Sequence, residues 1–128
     1  MNKIVIDATK EKIFLTIIKD NSNHNISYEN SKTNYERLIV LIDEFLKSKD
    51  LEIDDIHAFY VNRGPGSFAG IRNSLSTVKA INLAKKIDYY CYSLDDFNHE
   101  NQIFNENIPN LCEKFKVKKN LINPIYLS

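Results

Sequence analysis

Apolar and polar positions fall in blocks along this chain, and the period of the blocks changes from two to helical. Residues 3–7, Lys3-Ile4-Val5-Ile6-Asp7, are a short β-rich run. Residues 12–18 are apolar on both alternations, which predicts a strand covered on both faces. The polar link at 8–11 between them predicts a hairpin. Asp20-Asn21-Ser22-Asn23 is a turn cluster, and residues 25–28 suit a third strand with one wet face. The three strands make an antiparallel meander.

The period then becomes helical. Tyr35, Leu38, Ile39, Ile42, Phe45 and Leu46 recur at helical spacing, with Thr33 or Asn34 as the cap and Glu36 as its capping-box partner. This helix ends in the polar residues 47–50. Residues 56–61 are the next strand, and it runs straight into a loop that holds all three glycines, Gly64, Gly66 and Gly70. A second helix is expected over 71–86, ending on two lysines that suit the negative end of its dipole. Residues 89–93 form a last strand, and Ser93 caps a short turn at 94–97. Beyond it, residues 98–110 are expected to be irregular, and 111–117 are a short strand or helix. The order is α/β: a meander continued by parallel crossovers as helix, strand, helix, strand.

Composition narrows this little. The chain has 128 residues, of which 43% are hydrophobic and 27% charged, with 17 basic and 17 acidic side chains. That is the balance of a soluble globular domain able to bury a core without staples. Zero net charge supplies no global field to attract nucleic acid or membrane. No apolar run approaches the roughly 20 residues that span a bilayer, and no signal-peptide core opens the chain. Cys91 and Cys112 are then reduced thiols, and a cytoplasmic location is expected.

A strand, a glycine-rich loop and a helix can hold an anion, because glycines let backbone N–H groups face a ligand at the helix N-terminus. Arg63 and Arg72 flank the loop and could add charge. The spacing is neither a Walker A motif nor G-x-G-x-x-G. The other reading is a tight turn whose glycines let helix, loop and sheet approach closely.

The string Arg63-Gly64-Pro65-Gly66-Ser67-Phe68-Ala69-Gly70-Ile71-Arg72 resembles the signature of the TsaB (YeaZ) family. That family belongs to the bacterial machinery that makes threonylcarbamoyladenosine in tRNA. Ile6-Asp7 with Glu11, Glu36-Arg37-Leu38, Ile42-Asp43-Glu44, Asp54-Asp55-Ile56 and Tyr92-Ser93-Leu94 resemble other family pieces in the same order. Ala69 replaces the usual Thr, and Asn34 stands where His is common. The resemblance covers residues 1–97, and the ending Pro124-Ile125-Tyr126-Leu127 resembles the family's own C-terminus. It suggests a TsaB-like domain at 1–97 followed by a short irregular segment at 98–128 in place of a second domain.

The resemblance implies a single actin-like (ribonuclease H-like) domain. It implies a non-catalytic scaffold with no cofactor and no metal. Its partner would be a TsaD-type subunit, with a TsaE-type ATPase as a further partner and tRNA met indirectly. Leu38, Ile42, Ser76, Thr77, Ala80 and Ala84 are the expected subunit interface on the two helices, and a homodimer is plausible when TsaD is absent. The physical ground is that Ile71, Leu75 and Val78 fall on one face of the second helix, while Ser76, Thr77, Ala80 and Ala84 lie opposite.

Two other functions stay open. The loop could serve a nucleotide-binding phosphotransferase or a peptidase, although the hairpin Asp7-Ala8-Thr9-Lys10 lacks the glycines a phosphate would favour. Lys114, Lys116, Lys118 and Lys119 could meet tRNA phosphates directly, or could be the wet face of a strand in which Phe115 and Val117 alternate with them. His24, His57 and His99 have no partnering motif, and His57 reads as a packed or edge residue. Asp54-Asp55 and Asp95-Asp96 read as solvated caps, Ser67 has no recognisable base, and Cys91 reads as packing.

Overall fold

The computed structural model describes residues 1–98, 100 and 102–126. His99 and the Leu127 of the C-terminal motif lie outside the described residues. Strands β1 (Asn2–Asp7), β2 (Lys12–Ile18) and β3 (Asn23–Glu29) form the expected antiparallel meander. Strands β4 (Ile56–Asn62) and β5 (Asp88–Tyr92) join it in parallel, giving the sheet order β3-β2-β1-β4-β5.

The helix expected after the meander is two helices. The single turn α1 (Lys32–Tyr35) is entered from Ser31, and α2 (Leu38–Ser48) begins after Arg37, which leaves helical geometry at φ −118°, ψ 31°. The capping box expected from Thr33 or Asn34 with Glu36 does not form. Asn34 instead donates to the Glu29 carbonyl at 2.9 Å, and Glu36 ends α1. A short amide side chain that bonds backward to the preceding strand is no longer available as a cap.

Helix α2 and the long α3 (Phe68–Lys85) cover one face of the sheet. Leu38, Leu41, Ile42, Phe45 and Leu46 are the buried stripe of α2, at the spacing of one helix face. Leu38 and Ile42, expected at a subunit interface, are each 1% exposed and belong to this core. The apolar residues that α2 leaves outside are Ile39 and Val40. On α3, Ile71, Leu75 and Val78 face inward as expected, joined by Ser74 and Ile81. The α3 helix starts three residues earlier than the pattern implied, so Gly70 lies in its first turn and not in a loop.

The opposite face is covered by the segment of the described chain that follows β5. Val5, Ala58, Tyr60 and Tyr92 pack there against Phe97, Ile108 and Cys112. Ser93 caps the turn Leu94–Phe97 as expected, with Asp96 completing a capping box. Helix α4 (Ile108–Lys114), with Pro109 in its first turn, begins within the stretch expected to be irregular. Of the strand and helix readings of 111–117, the helix forms and the alternating strand does not: α4 ends at Lys114, and Phe115 and Val117 both pack on the second cluster. The lysine alternation masked a helical repeat, with Ile108, Leu111, Cys112 and Phe115 at i, i+3, i+4 and i+7.

The two sides of α2 should respond differently to truncation. Leu38→Ala is expected to cost about 2–5 kcal/mol of unfolding free energy. Ile39→Ala should change it by less than about 0.5 kcal/mol. Urea denaturation of the two variants measures this directly.

Candidate functional site

The glycine loop is held from below by the end of the sheet. Parallel pairing of Ile6 with Val61 sets Asp7 and Asn62 side by side at the carboxyl ends of β1 and β4. Asn62, 5% exposed, donates from Nδ2 to Asp7 Oδ2 at 3.1 Å and accepts from the Gly64 N–H at 3.0 Å. The other carboxylate oxygen of Asp7 accepts from the Thr9 N–H at 3.0 Å and from its hydroxyl at 2.6 Å. One carboxylate therefore fixes the hairpin turn, and through Asn62 it fixes the loop as well.

The turn then lies directly on the loop. The Thr9 carbonyl accepts from the Ser67 N–H at 2.8 Å. A methyl group at Gly66 would overlap that carbonyl, and one at Gly70 would overlap the Ala8 carbonyl. Gly64 has φ +112°, a region that side chains avoid, and faces the Ile125 carbonyl at close range. Asn30 completes the clamp by donating to the carbonyls of Ala8 and Lys10 at 2.9 and 2.7 Å. At the start of α3, Ser67 caps the helix by accepting from the Gly70 N–H at 3.2 Å. Two donors that an anion cradle would use, the Ser67 and Gly70 amides, are thus bonded within the chain. The glycines serve close approach of backbone to backbone.

Arg63 anchors the chain's own segments. Its Nη2 donates to Asp96 at 2.8 Å, its Nη1 to the Asn123 carbonyl at 3.1 Å, and its own carbonyl accepts from Ile125 N–H at 2.7 Å. The ion pair is mostly shielded, with 16% and 28% of the two side chains exposed. Asp96, read from sequence as a solvated cap, is therefore both cap and counterion. An acid at the third helical position after Ser93 was its one visible signal. Phe68 leaves the loop outward and packs on Tyr126, with ring centroids 4.6 Å apart. Pro65 is exposed. Arg72 lines a cleft with Lys79, Ile122 and Tyr126.

The other expected residues gather elsewhere. Ser76, Thr77, Ala80 and Ala84 line a groove of about 470 Å³ between α3 and the α1–α2 pair. Tyr35, Leu38, Ile39 and Ile53 form its opposing side, so its surface is mostly apolar. Leu38 contributes to that wall while being buried; Ile42 does not reach it. Leu83, 68% exposed, extends the apolar surface of α3.

Among the described residues no three His, Cys, Asp or Glu side chains are placed to hold a metal ion. No described helix is long and apolar enough to cross a membrane. Burial pushes both thiols, Cys91 and Cys112, up to about 12, so neither is an activated nucleophile.

This sheet order and helical cover define a ribonuclease H-like fold of the actin-like kind. YeaZ from Pseudomonas aeruginosa superposes with a TM-score of 0.65 at 17% identity, over 72% of this chain and 43% of that one. Thermus thermophilus RuvC superposes with a TM-score of 0.51 at 12% identity, over 90% of this chain and 80% of that one. In sequence, a protein-family model described as "TsaD: tRNA N6-adenosine threonylcarbamoyltransferase" matches residues 26–113, and the chain belongs to that family. Two curated relatives carry the name tRNA threonylcarbamoyladenosine biosynthesis protein TsaB. The Buchnera aphidicola protein is 24% identical over 67% of this chain and 39% of its own length. The Haemophilus influenzae protein is 28% identical over 54% of this chain and 29% of its own length. The resemblance carried by residues 63–72 agrees with these names. The chain spans well under half the length of the curated relatives it matches.

Gly66→Ala is expected to lower stability by about 1–3 kcal/mol or more, because the Thr9 carbonyl is backbone and cannot swing aside. The shift of the urea midpoint reports it. The thiols give a second expectation. Folding raises both above their ordinary value of about 8.5. Their contribution to stability is therefore complete below about pH 8.5 and is lost as the pH rises towards about 12. A thiol-reactive chromophore at pH 8 should label neither cysteine in the native chain and both in urea.

Proposed function

We propose that this chain is a non-catalytic scaffold in the formation of threonylcarbamoyladenosine in tRNA, and that it works by binding a TsaD-type subunit. The observation that carries the reading is the apolar groove between α3 and the α1–α2 pair. Its floor is built from small side chains four apart, Ser76, Ala80 and Ala84, which let the backbone of a second helix approach to within about 8–10 Å. The family match and the names of the relatives supply the chemistry of the partner. A second copy of the chain is the competing occupant of the same groove. In the full assembly a TsaE-type ATPase would join, and tRNA would be met through the partner in the cytoplasm.

The nucleotide-enzyme reading has less support. Its cradle would need the hairpin turn and the α3 start to leave room for a phosphate, and there the Thr9 carbonyl meets the Ser67 amide. The lysine reading is weakened in part by pairing. Lys114 lies 2.7 Å from Glu100 and Lys119 lies 3.7 Å from Asp88, while Lys116 and Lys118 have no acidic partner among the described residues.

The test is sedimentation of the chain mixed with its cognate TsaD-type protein. A stoichiometric complex is expected. Ala80→Trp and Ala84→Trp should each weaken it by about tenfold or more, equal to about 1.4 kcal/mol. Both positions are exposed, so the variants should keep the unfolding midpoint of the parent. A well-folded chain that never associates, or a complex indifferent to both tryptophans, would refute the reading.

A further inference from the structure

A second cleft, of about 450 Å³, opens on the sheet face opposite the groove, between β1, β4 and β5 and the end of α4. That volume lies in the range of small-molecule sites, about 300–1,000 Å³. Its polar lining is unbalanced. Lys3, His57 and Lys116 bring donors from three separate elements, and the phenols of Tyr60 and Tyr90 add two more. Among the described residues none of these five side chains has a hydrogen-bond or ion-pair partner. Glu113 is the one acidic side chain in the lining. The amino-terminal ammonium at the rim is already paired with Asp20.

The backbone is specialised at this point. Pairing between β1 and β4 slips after Asn2, so that Asn2 faces Ile56 and Lys3 faces Ala58, and His57 is passed over. An extra residue in a strand re-aims its side chain, and such bulges collect beside functional sites. Here the slip brings an exposed imidazole into the cleft beside Lys3. The floor is also preset. Tyr60 and Tyr90 are stacked, with centroids 5.0 Å apart and planes 9° from parallel. Tyr60 is 6% exposed, whereas Tyr90 is half-buried and offers part of its ring to the opening. Burial raises the Tyr60 phenol well above its ordinary value, so it remains a proton donor across the physiological range.

We propose that this cleft binds a phosphate monoester carrying a flat ring, with a mononucleotide as the representative ligand. A phosphate offers three acceptor oxygens and nearly two negative charges, which match two ammonium groups, an imidazole N–H and the phenols. The half-buried face of Tyr90 gives the ring a stacking surface. The site is separate from the glycine loop and from the α3 groove, and the proposal does not depend on the scaffold reading.

The experiment is an NMR titration of the full chain with adenosine monophosphate, inorganic phosphate and adenosine in parallel. Saturable movement of the His57 ring and Lys116 amide signals is expected with the monophosphate, weaker movement with phosphate and least with adenosine. Lys3→Ala and Lys116→Ala should each weaken the monophosphate by roughly tenfold, the loss of a charge-assisted contact. Unchanged signals from the α2–α3 core would show that both variants keep the fold. Movement reproduced by sodium chloride at matched ionic strength would overturn the proposal, as would binding unaffected by either substitution. A strong preference for short single-stranded RNA over the mononucleotide would overturn it too, by making the cleft part of a longer track.

Discussion

The contact between the Thr9 carbonyl and the bare Cα of Gly66 ties the two halves of this fold together. The hairpin belongs to the antiparallel meander, and the loop belongs to the parallel crossover through α3. They can touch because Gly66 brings no side chain to the contact, where a Cβ would overlap both the carbonyl and the Cβ of Thr9. The position of the turn is not free, since Asp7 bonds both the amide and the hydroxyl of Thr9. The position of the loop is not free either, since Asn62 joins Asp7 to the Gly64 amide. Both side chains come from adjacent parallel strands in fixed register. The register of β1 on β4 therefore propagates, bond by bond, to the first turn of α3 and so to the angle at which α3 meets α2. Polar chains of this kind are stable when their members are satisfied, and here one Asp7 oxygen takes both Thr9 donors while the other takes Asn62.

Arg63 extends the same logic to the C-terminal tail. Its charge is largely shielded, so it needs Asp96 and the Asn123 carbonyl to hold it. Removing one partner of such a pair leaves the other charge poorly solvated, which costs more than the pair itself contributes. The arginine that looks like an anion ligand in sequence is thus spent internally. It joins the end of β4, the turn after β5 and the tail.

Much of the architecture was legible because it rests on local patterns. The meander, the inward face of α3 and the Ser93 cap follow from period-two runs, period-3.6 runs and a serine followed by an acid three residues on. The division at Glu36–Arg37 was not legible, because the Asn34 side chain bonds back to the Glu29 carbonyl at the end of β3, and the same residue type equally suits a helix cap. The α4 helix was legible only as one of two alternatives over 111–117. From its last residue onward, Lys114, Lys116 and Lys118 alternate with Phe115 and Val117, and a short window cannot separate that from a strand. At the loop the residues and both of their possible uses were visible, but the choice between the uses was not. Glycine has two physical uses, accepting a ligand and accepting another backbone, and the choice depends on Ala8, Thr9 and Ile125, which are remote in sequence. His57 reads from sequence as a packed or edge residue because a bulge is a property of two strands, not of one.

The two faces of the sheet are finished in different ways, and this separates their chemistry. On the α2–α3 face a full helical layer buries the sheet, and what remains outside is a second, apolar helical surface with small residues at its centre. Further packing there is helix against helix, which is a protein's way of meeting another protein. On the opposite face the cover is thinner, made of short turns and one seven-residue helix. The sheet's own Lys3 and Tyr90 remain reachable there, over the buried ring of Tyr60. A surface of that kind presents donors on a rigid floor with little apolar area to bury, so it suits a small polar ligand better than a helix. One sheet can therefore carry a docking face and a ligand face without either constraining the other. The shared cost is borne at the carboxyl ends of β1 and β4, where the glycine loop must stay closed for α3 to keep its place.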